Sequence, residues 1–344
     1  MTRLTRTRLR LFAILTFLSM LVGILDSYLG DAIGEASRLD AMLHGGTAYL
    51  FGGALIWGLE ILVAQSPYGA AIRRLYFLTA IALKAVTVVL VVIWVRALTV
   101  YMFHGDLNID FVFNAQFYRT LAFVLVVIIT LQVVTQVVRI IGGRTLMNFI
   151  LGKYRRPVRE DKIFMFLDMV GSTTLAERLG DEGVQAMITK FFFDLADPIV
   201  EHGGEIHRYI GDEVIVTWPL KKGAANMRCI RCCLAIADKV HAMAPNYQRE
   251  FDAVPAFRIG LHGGPVVISQ CGDHKQEISY YGDTINTASR VEQECKALDC
   301  NLLITGELLD RITLEPAYRA LAKGVVQLRG RESETALYTV ERDA

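Results

Sequence analysis

Residues 162–173 read KIFMFLDMVGST, an apolar run that ends in an acidic residue and a glycine-containing turn. The run predicts a buried β-strand, and Asp168 lies at its end. Gly171 permits a tight turn before a predicted helix, where Thr174 and Glu177 have the spacing of a capping box. A carboxylate at a strand end, next to a helix N-terminus, can hold a divalent cation beside a bound phosphate.

The composition indicates that part of this chain lies in lipid. Of its 344 residues 53% are hydrophobic and only 21% are charged, which is more apolar than a typical soluble protein. A net charge of +1 provides no basic surface that could track nucleic-acid phosphates, so we expect no nucleic-acid partner. The length allows two or three domains.

Four apolar runs in the first half are close to the length of about 20 residues that a membrane-spanning helix needs. They cover residues 11–29, 47–64, 75–95 and 121–141. We therefore predict a four-helix membrane domain over residues 1–142. The arginines before the first run are compatible with a signal peptide, but no small-residue cleavage site is convincing and three more runs follow.

The basic residues between these runs predict the orientation, because short cytoplasmic loops retain Lys and Arg. They fall on one predicted side: Arg3, Arg6, Arg8, Arg10, Arg73, Arg74, Arg139, Arg144, Lys153, Arg155 and Arg156. The other side carries acidic residues: Asp31, Glu35, Asp40, Asp106 and Asp110. Both termini are expected in the cytoplasm, with the chain in the inner (plasma) membrane and in contact with its lipid.

Ionisable residues within the predicted spans are expected to face a partner or a cavity, since an uncompensated charge in lipid is costly. Asp26 is one of them. Glu60 and Lys84 would lie in the same half of the membrane, either as an ion pair or extending separately to the interface. His44 and His104, near the outer face, fit either interfacial residues or ligands of haem or a metal.

Strands and helices alternate after a basic linker over residues 143–160, which predicts a separate domain over residues 161–344. Within it, HRYIGDEVIV (207–216) has apolar arms around Gly211 and Asp212. This pattern predicts a β-hairpin in which the glycine takes a positive φ and Asp212 projects from the tip.

A third segment contains two polar residues with helical spacing. FRIGLHGG (257–264) is followed by GDTINTASR (282–290), which becomes helical near Thr284. Asn286 and Arg290, four residues apart, then share one helix face. An amide and a guanidinium placed together can stabilise a developing oxyanion.

Together these segments resemble the class III nucleotide cyclase catalytic domain over about residues 161–340. The motifs occur in the family's order: FLDMVGST (166–173), GDE (211–213), FRIGLHGG (257–264) and GDTINTASR (282–290). The resemblance implies an α+β, ferredoxin-like domain that forms a head-to-tail homodimer with active sites at the interface. The whole chain is then an α+β protein, a four-helix transmembrane domain followed by a cyclase domain.

The resemblance also implies the roles of individual residues. Asp168 and Asp212, with the backbone carbonyl of Met169, would bind two Mg²⁺ or Mn²⁺ ions. Asn286 and Arg290 would be catalytic and come from the partner protomer. The phosphates would be bound by residues from three segments: Gly171, Ser172, Thr173, Arg258 and Arg329, with Arg331 as an alternative to Arg329.

The base pocket departs from the commonest pattern of the family. Many adenylate cyclases have lysine and aspartate where this chain has Arg208 and Ser279. Adenine offers an acceptor at N1 and a donor at its amino group, which Arg208 and Ser279 can satisfy, so we expect ATP as substrate and 3′,5′-cyclic AMP and pyrophosphate as products. The alternatives are a guanylate cyclase and a catalytically silent nucleotide-binding receptor. Regulation of the catalytic domain through the membrane domain is a further expectation, and the sequence does not identify the ligand or partner that would act there.

All six cysteines lie in the second half with irregular spacing. Cys229, Cys232 and Cys233 share a predicted helix, where they fit buried thiols better than a zinc or redox site. Such usage is typical of a reducing, cytosolic compartment.

Overall fold

The computed structural model of the chain describes residues 3–29, 38–63, 77–105, 112–113, 115–330 and 333–343. The chain divides into two compact units, Met1–Ile140 and Ile141–Ala344.

Four long helices form the described part of the N-terminal unit: α1 (Arg3–Leu29), α2 (Arg38–Gly58), α3 (Phe77–His104) and α4 (Ala115–Ile141). A π-helical turn, Leu59–Val63, extends α2. Within the described residues, three segments are long and apolar enough to cross a membrane: Leu9–Tyr28, Thr79–Met102 and Phe117–Val138. Their apolar side chains are largely exposed, with Leu90 at 61% and Val126 at 64%, as expected for residues that face lipid.

The predicted count of four spans is not confirmed, because α2 does not meet the same criterion. The helix starts at Arg38, nine residues before the predicted span at residue 47, and includes Asp40 and several glycines. These residues lower its mean hydropathy. Several residues on which the predicted membrane orientation is based lie outside the described part of the chain: Asp31, Glu35, Arg73, Arg74, Asp106 and Asp110.

Glycines allow α1 and α2 to pack closely. A Cβ atom on Gly45 would lie 1.9 Å from the Ser27 Oγ, and one on Gly23 would lie 2.6 Å from the Gly45 carbonyl oxygen. Small residues at such contacts let helix backbones approach each other. The Tyr49 hydroxyl donates to Asp26 Oδ2 at 3.2 Å, so Asp26 faces a partner as predicted.

Glu60, Lys84 and Gln132 form a polar cluster that joins three helical segments. Lys84 Nζ lies 2.8 Å from Glu60 Oε1 and 2.9 Å from Gln132 Oε1. The Gln132 amide also donates to Glu60 Oε1 at 3.2 Å. Of the two alternatives for Glu60 and Lys84, the structure has the ion pair, and Gln132 links α4 to it. His44 is buried in α2, whereas the side chain of His104 lies outside the described residues.

The second unit contains six α-helices and eight strands in the described residues. In chain order these are α5 (Gly143–Ile150), β1 (Val158–Met169), α6 (Ser172–Glu201), β2 (Glu205–Ile210), β3 (Glu213–Pro219), α7 (Leu220–Ala224), α8 (Arg228–Phe251), β4 (Phe257–Cys271), β5 (Glu277–Tyr281), α9 (Asp283–Ala297), β6 (Leu302–Thr305), α10 (Gly306–Leu309), β7 (Tyr318–Val326) and β8 (Thr335–Arg342).

The strands form one mixed sheet in the order β2-β3-β1-β4-β6-β8-β7, with β5 also paired to β4. β1 pairs antiparallel with β3 and β4, and β2 pairs antiparallel with β3. With α6 and α8 these strands make the βαββαβ unit of ferredoxin-like folds, as predicted. The pairing of β4 with β6 is parallel, so the sheet is mixed.

The core lies on both faces of β1, because alternate residues of a strand point to opposite sides. Met165 and Leu167 belong to the larger core, together with buried residues of α6 and α8 such as Phe191 and Ile236. Phe164 packs in a second cluster on the other face. This double burial explains the unbroken apolar run in the sequence.

The cysteines of α8 are buried in the larger core, as expected of structural thiols. Cys229, Cys232 and Cys233 are free and almost fully buried. Burial raises the pKa of the Cys229 thiol to about 12, so it stays protonated and unreactive.

The segment between α5 and β1 packs on the sheet of the second unit. Tyr154 is 4% exposed and lies in the cluster of Phe164. Its carbonyl accepts a hydrogen bond from the Gln270 amide of β4 at 2.8 Å, and its hydroxyl donates to Glu160 at 3.1 Å. Part of the predicted linker thus belongs to the second unit.

Candidate active site

Asp168 lies at the end of β1 between an acidic and a basic neighbour. The register places it opposite Glu213 on β3 and opposite Arg258 on β4. Residues directly opposite in antiparallel strands have Cβ atoms about 4.5–5.5 Å apart. The sheet therefore brings the FLDMVGST, GDE and FRIGLHGG motifs to one edge.

The predicted hairpin is confirmed and places Asp212 at its tip. Ile210 pairs with Glu213, which leaves Gly211 and Asp212 as a two-residue loop. Gly211 has φ 61°, a conformation that glycine adopts without strain. The apolar residues of both arms pack in the sheet, while Asp212 remains half-buried near the end of β1.

Four carboxylates influence one another at this edge. Burial raises the pKa of Asp168, and the nearby charge of Asp212 raises it further, while a backbone hydrogen bond at Met169 and the charge of Arg258 oppose the shift. Burial, followed by the charges of Asp168 and Asp212, raises the pKa of Glu213 to about 7. Such a cluster is too negative to ionise fully at neutral pH without added positive charge.

Glu292 of α9 is the fourth carboxylate, and it is only 7% exposed. Burial, then the charges of Asp168 and Glu213, raise its pKa to about 7. Its position depends on Gly260 of β4, where a Cβ atom would lie 2.3 Å from the Glu292 nitrogen. Glycine at this position lets α9 approach the sheet closely enough to bring Glu292 to the acidic cluster.

The N-terminus of α6 follows β1 directly. Gly171 is the N-cap with φ 72°, and no side chain caps the helix. The predicted capping box is wrong because the helix starts at Ser172, so that Thr174 already lies in the first turn. The first backbone hydrogen bond of the helix runs from the Leu175 nitrogen to the Gly171 oxygen at 2.9 Å. The preceding amides, including those of Ser172 and Thr173, have no intrahelical acceptor and are suited to phosphate.

Asn286 and Arg290 lie on α9, as predicted. Asn286 is exposed. Arg290 Nη1 is 3.8 Å from Asp283 Oδ1, and this buried nitrogen makes no hydrogen bond to any residue that the structure describes. A Cβ atom on Gly330 would lie 3.3 Å from Arg290 Nη2, so Arg290 packs against the loop that carries the exposed Arg329. The alternative residue, Arg331, lies outside the described residues.

The two predicted base-pocket residues lie on strands that do not pair with each other, β2 and β5. Ser279 of β5 is opposite Ser269 of β4. Arg208 of β2 forms an ion pair with Glu277 of β5, with Nη2 and Oε2 2.8 Å apart. Glu277 is two residues from Ser279 and had no part in the predicted site.

The donor set fits the predicted metal ions. Within the described ranges, no three His, Cys, Asp or Glu side chains form a ready-made metal site. Mg²⁺ is commonly held by one or two carboxylates together with substrate phosphates, rather than by a complete protein cage. Asp168 and Asp212, whose mutual repulsion a cation would relieve, fit that mode with the Met169 carbonyl.

Acidic residues at strand ends, a free helix N-terminus and the arginines of β4 and α9 together form a site suited to divalent cations and phosphate. The family profile described as "Adenylate and Guanylate cyclase catalytic domain" matches residues 158–342. The chain belongs to this family.

Relatives at the level of sequence and structure agree with this assignment. The chain is 37% identical over 207 residues to Adenylate cyclase 2 of Rhizobium meliloti (strain 1021), covering 60% of this chain and 57% of that one. It is 29% identical over 188 residues to Adenylate cyclase 1 of the same strain, covering 53% and 28%. A bacterial light-regulated adenylyl cyclase of known structure shares the fold, with a TM-score of 0.53 and 24% identity over 61% of this chain and 62% of that one. The match thus spans 57% of the length of the first curated relative and only 28% of the second.

Sequence reasoning left three acidic residues out of the site: Glu213, Glu277 and Glu292. Glu213 adjoins Asp212, and its position in an apolar strand was a usable signal. Glu292 is four residues past the buried Ala288 on α9, so an acid on the buried helix face was a second signal. For Glu277 no local signal exists, because its partner Arg208 is on a distant strand.

Proposed function

We propose that this chain is a membrane-bound adenylate cyclase that converts ATP to 3′,5′-cyclic AMP and pyrophosphate. Residues 1–142 are the membrane domain with four spans, residues 143–160 the linker, and residues 161–344 the catalytic domain, which lies with the N-terminus in the cytoplasm at the inner membrane. The supporting observation is the proximity of Asp168 and Asp212 at the end of β1, beside the uncapped N-terminus of α6.

The acidic edge holds the divalent cations and the triphosphate. Asp168, Asp212 and the Met169 carbonyl are the ligands for two Mg²⁺ or Mn²⁺ ions, which when bound neutralise phosphate charge and favour ionisation of the ribose 3′-hydroxyl. The amides of Gly171, Ser172 and Thr173 face the phosphates. Arg258 and Arg329 supply positive charge.

In the reaction, the 3′-oxygen of the substrate loses its proton and attacks the α-phosphorus of the same molecule. The bond from that phosphorus to the oxygen of the β-phosphate breaks, and pyrophosphate leaves. Asn286 orients the ribose, and Arg290 stabilises the charge that develops on the α-phosphate. We assign both residues to the partner protomer of a homodimer, in agreement with the family's shared sites.

Base recognition favours adenine in this proposal. Arg208 donates to the adenine N1, and the Ser279 hydroxyl accepts from the amino group. GTP is the second candidate substrate because the Glu277 carboxylate, next to Arg208, is able to accept the N1–H of guanine. Turnover of ATP against GTP separates the two.

The direct test uses the full chain purified in detergent or nanodiscs with ATP and Mn²⁺. Cyclic AMP should form, and Asp168→Ala should lower the rate by about a hundredfold or more. Asp181→Ala, an exposed carboxylate on α6, is the control and should retain activity. Nucleotide binding without turnover would instead support the silent receptor.

A mixing experiment tests the shared site. Asp168→Ala and Arg290→Ala chains are each expected to be inactive, but one of the two sites in a mixed dimer keeps all its residues. Co-expressed chains with two different tags should therefore recover part of the activity. If purified mixed dimers remain inactive, the assignment of Arg290 to the partner protomer is wrong.

Regulation through the membrane domain is part of the proposal and rests on covalent continuity from α4 through residues 143–160 to β1. A change in the packing of the spans, caused by lipid, by an unidentified ligand or by a partner, would alter the catalytic dimer. Comparing the activity of the full chain in nanodiscs of different lipid composition tests this point.

A further inference from the structure

Arg290 has an acidic neighbour on its own helix, Asp283, that the proposed reaction does not use. We propose that Asp283 is a positioning residue: it holds one edge of the Arg290 guanidinium within the protomer, so that the rest of the guanidinium is directed to the α-phosphate of the substrate. This inference rests on the proposed function, because it assigns a further residue to the same reaction.

The two residues lie on one face of α9. Asp283 is the first residue of the helix and Arg290 comes seven positions later, so their side chains project from the same side, two turns apart. Arg290 Nη1 and Asp283 Oδ1 are 3.8 Å apart. That distance is too long for a hydrogen bond but allows attraction between the two charges. The contact lies within one chain and therefore accompanies Arg290 into the site that it serves.

Thr287, between the two residues, fixes the carboxylate. Its hydroxyl donates to Asp283 Oδ2 at 3.2 Å, and its side chain is fully buried. A buried β-branched side chain has little rotational freedom, so the oxygen that it contacts has a defined position. The other oxygen, Oδ1, is the one that faces Arg290.

The second terminal nitrogen of Arg290 lies against protein as well. A Cβ atom on Gly330 would be 3.3 Å from Nη2. Asp283 and the loop of Gly330 thus contact the two terminal nitrogens, one each. The Arg290 side chain as a whole is 27% exposed, so a ligand can still reach it.

One donor of Arg290 has no acceptor within hydrogen-bonding distance. Nη1 is buried and makes no hydrogen bond to the residues that the structure describes. A buried donor without an acceptor is costly, which points to a bond that forms in another state of the protein. Contacts in catalytic sites are often long in the unloaded enzyme and shorten when the substrate binds. The Asp283 carboxylate is placed to accept this bond when substrate phosphates draw the guanidinium into its working position.

Loss of the carboxylate should affect the chemical step more than binding of the nucleotide. In the proposed reaction Arg290 stabilises charge that develops in the transition state, so its misorientation lowers kcat and leaves KM nearly unchanged. A misplacement of about 1 Å can cost about a hundredfold in rate, and a partly exposed carboxylate should contribute less than that limit. We expect Asp283→Asn to lower kcat by about 5- to 20-fold.

The first test measures kcat and KM for ATP with the full chain in nanodiscs. Asp283→Asn is compared with Glu294→Gln, which neutralises a half-buried carboxylate on the same helix. Asp283→Asn should lower kcat and leave KM within about twofold, whereas the control should match the wild type in both. An unchanged kcat would overturn the inference. A raised KM with unchanged kcat would also overturn it, because Asp283 would then bind the substrate.

The second test uses mixed dimers, because Asp283 should matter only in the chain whose Arg290 is used. One chain carries Asp168→Ala and the other Arg290→Ala, so the one complete site takes Arg290 from the first chain. Asp283→Asn added to the first chain should lower the recovered activity by the same factor as in the homodimer. Added to the second chain, which has no Arg290 to position, the same substitution should have no effect.

The two placements separate positioning from a general effect on the helix. An acidic residue in the first turn also stabilises a helix through its dipole, and that role would lower the activity equally in either chain. Equal losses would therefore overturn the inference. If mixed dimers are inactive, the assignment of Arg290 to the partner protomer fails and the homodimer kinetics decide on Asp283.

Failure of the inference is distinguishable from failure of the proposed function. A wild-type chain that forms no cyclic AMP defeats both. A wild-type chain that turns over ATP, with Asp283→Asn indistinguishable from Glu294→Gln, defeats only the role of Asp283.

Discussion

Two regions of this molecule place carboxylates away from water and neutralise them differently. In the N-terminal unit, Glu60 has its counter-charge built in, with Lys84 at 2.8 Å. At the end of β1, Asp168 lies near Asp212, and the charge of Arg258 only partly opposes the repulsion. In the first arrangement the charge of Glu60 is neutralised by a residue of the same chain, and the contact joins neighbouring helices. The second is incomplete without cations, which is a feature of sites where ligands bind.

The largest effect is expected for Asp212→Asn. The substitution keeps the shape of the hairpin tip but removes a metal ligand, so cyclic AMP formation should fall by about a hundredfold or more. It also removes like-charge repulsion, so the metal-free protein should unfold at a higher temperature than the wild type. Cyclase assays and thermal unfolding in a chelator measure both effects.

The control for that experiment is Asp181→Asn, which should change neither quantity. If Asp212→Asn lowered the unfolding temperature of the metal-free protein, the carboxylates at the end of β1 would not be in mutual repulsion. The contrast with the Glu60 cluster would then disappear.

Glu60→Gln should destabilise the N-terminal unit by about 1–2 kcal/mol, because Lys84 would lose its counter-charge in a partly buried position. Lys84→Met should also destabilise the N-terminal unit, since it removes the counter-charge of the Glu60 carboxylate. The double variant has no net charge to compensate and should be more stable than either single variant. Thermal unfolding of the full chain in detergent, followed by circular dichroism, gives the comparison; a double variant no better than the single ones would argue against pairing.

The smallest effect is the pH dependence of stability in the absence of metal. Glu213 and Glu292 have a pKa of about 7 in the folded protein, against about 4.3 for glutamate in an unfolded chain. The folded state therefore holds more protons in this window, so the free energy of unfolding should fall as pH rises from about 5 to about 7 and then level off. Adding Mn²⁺ should reduce the dependence of the free energy of unfolding on pH. Denaturant titrations at several pH values measure it, and a stability that rose across the window would contradict the acidic cluster.

The sequence allowed the positions of Asp168 and Asp212 to be predicted because each depends on a local pattern, a strand end and a two-residue turn. The antiparallel order of the second and third apolar runs predicted that Glu60 and Lys84 lie in the same half of the membrane, but it left an ion pair and separate extension to the interface as alternatives. Features of this kind can be predicted from the sequence immediately around each residue.

Other features depend on contacts between distant segments. Glu292 joins the acidic cluster because Gly260 lets α9 approach β4. Arg208 meets Glu277 although β2 and β5 are not paired in the sheet. The start of α2 at Arg38 was missed because hydropathy detects apolar residues, whereas backbone hydrogen bonds continue a helix through polar ones. The missing capping box has a similar cause: Gly171 ends the turn earlier than the side-chain spacing suggested.

The absence of a capping side chain at Gly171 has a consequence for the resting enzyme. Many helices are capped at their N-terminus by a serine, threonine, asparagine or aspartate side chain, but α6 has no such cap and, in the proposed function, offers its free amides to the substrate phosphates. Substrate phosphates would complete the helix as well as bind to it. Binding of the substrate and ordering of the first turn of α6 should then be coupled. Slower amide hydrogen exchange at Ser172 and Thr173 would therefore report bound substrate before any product forms.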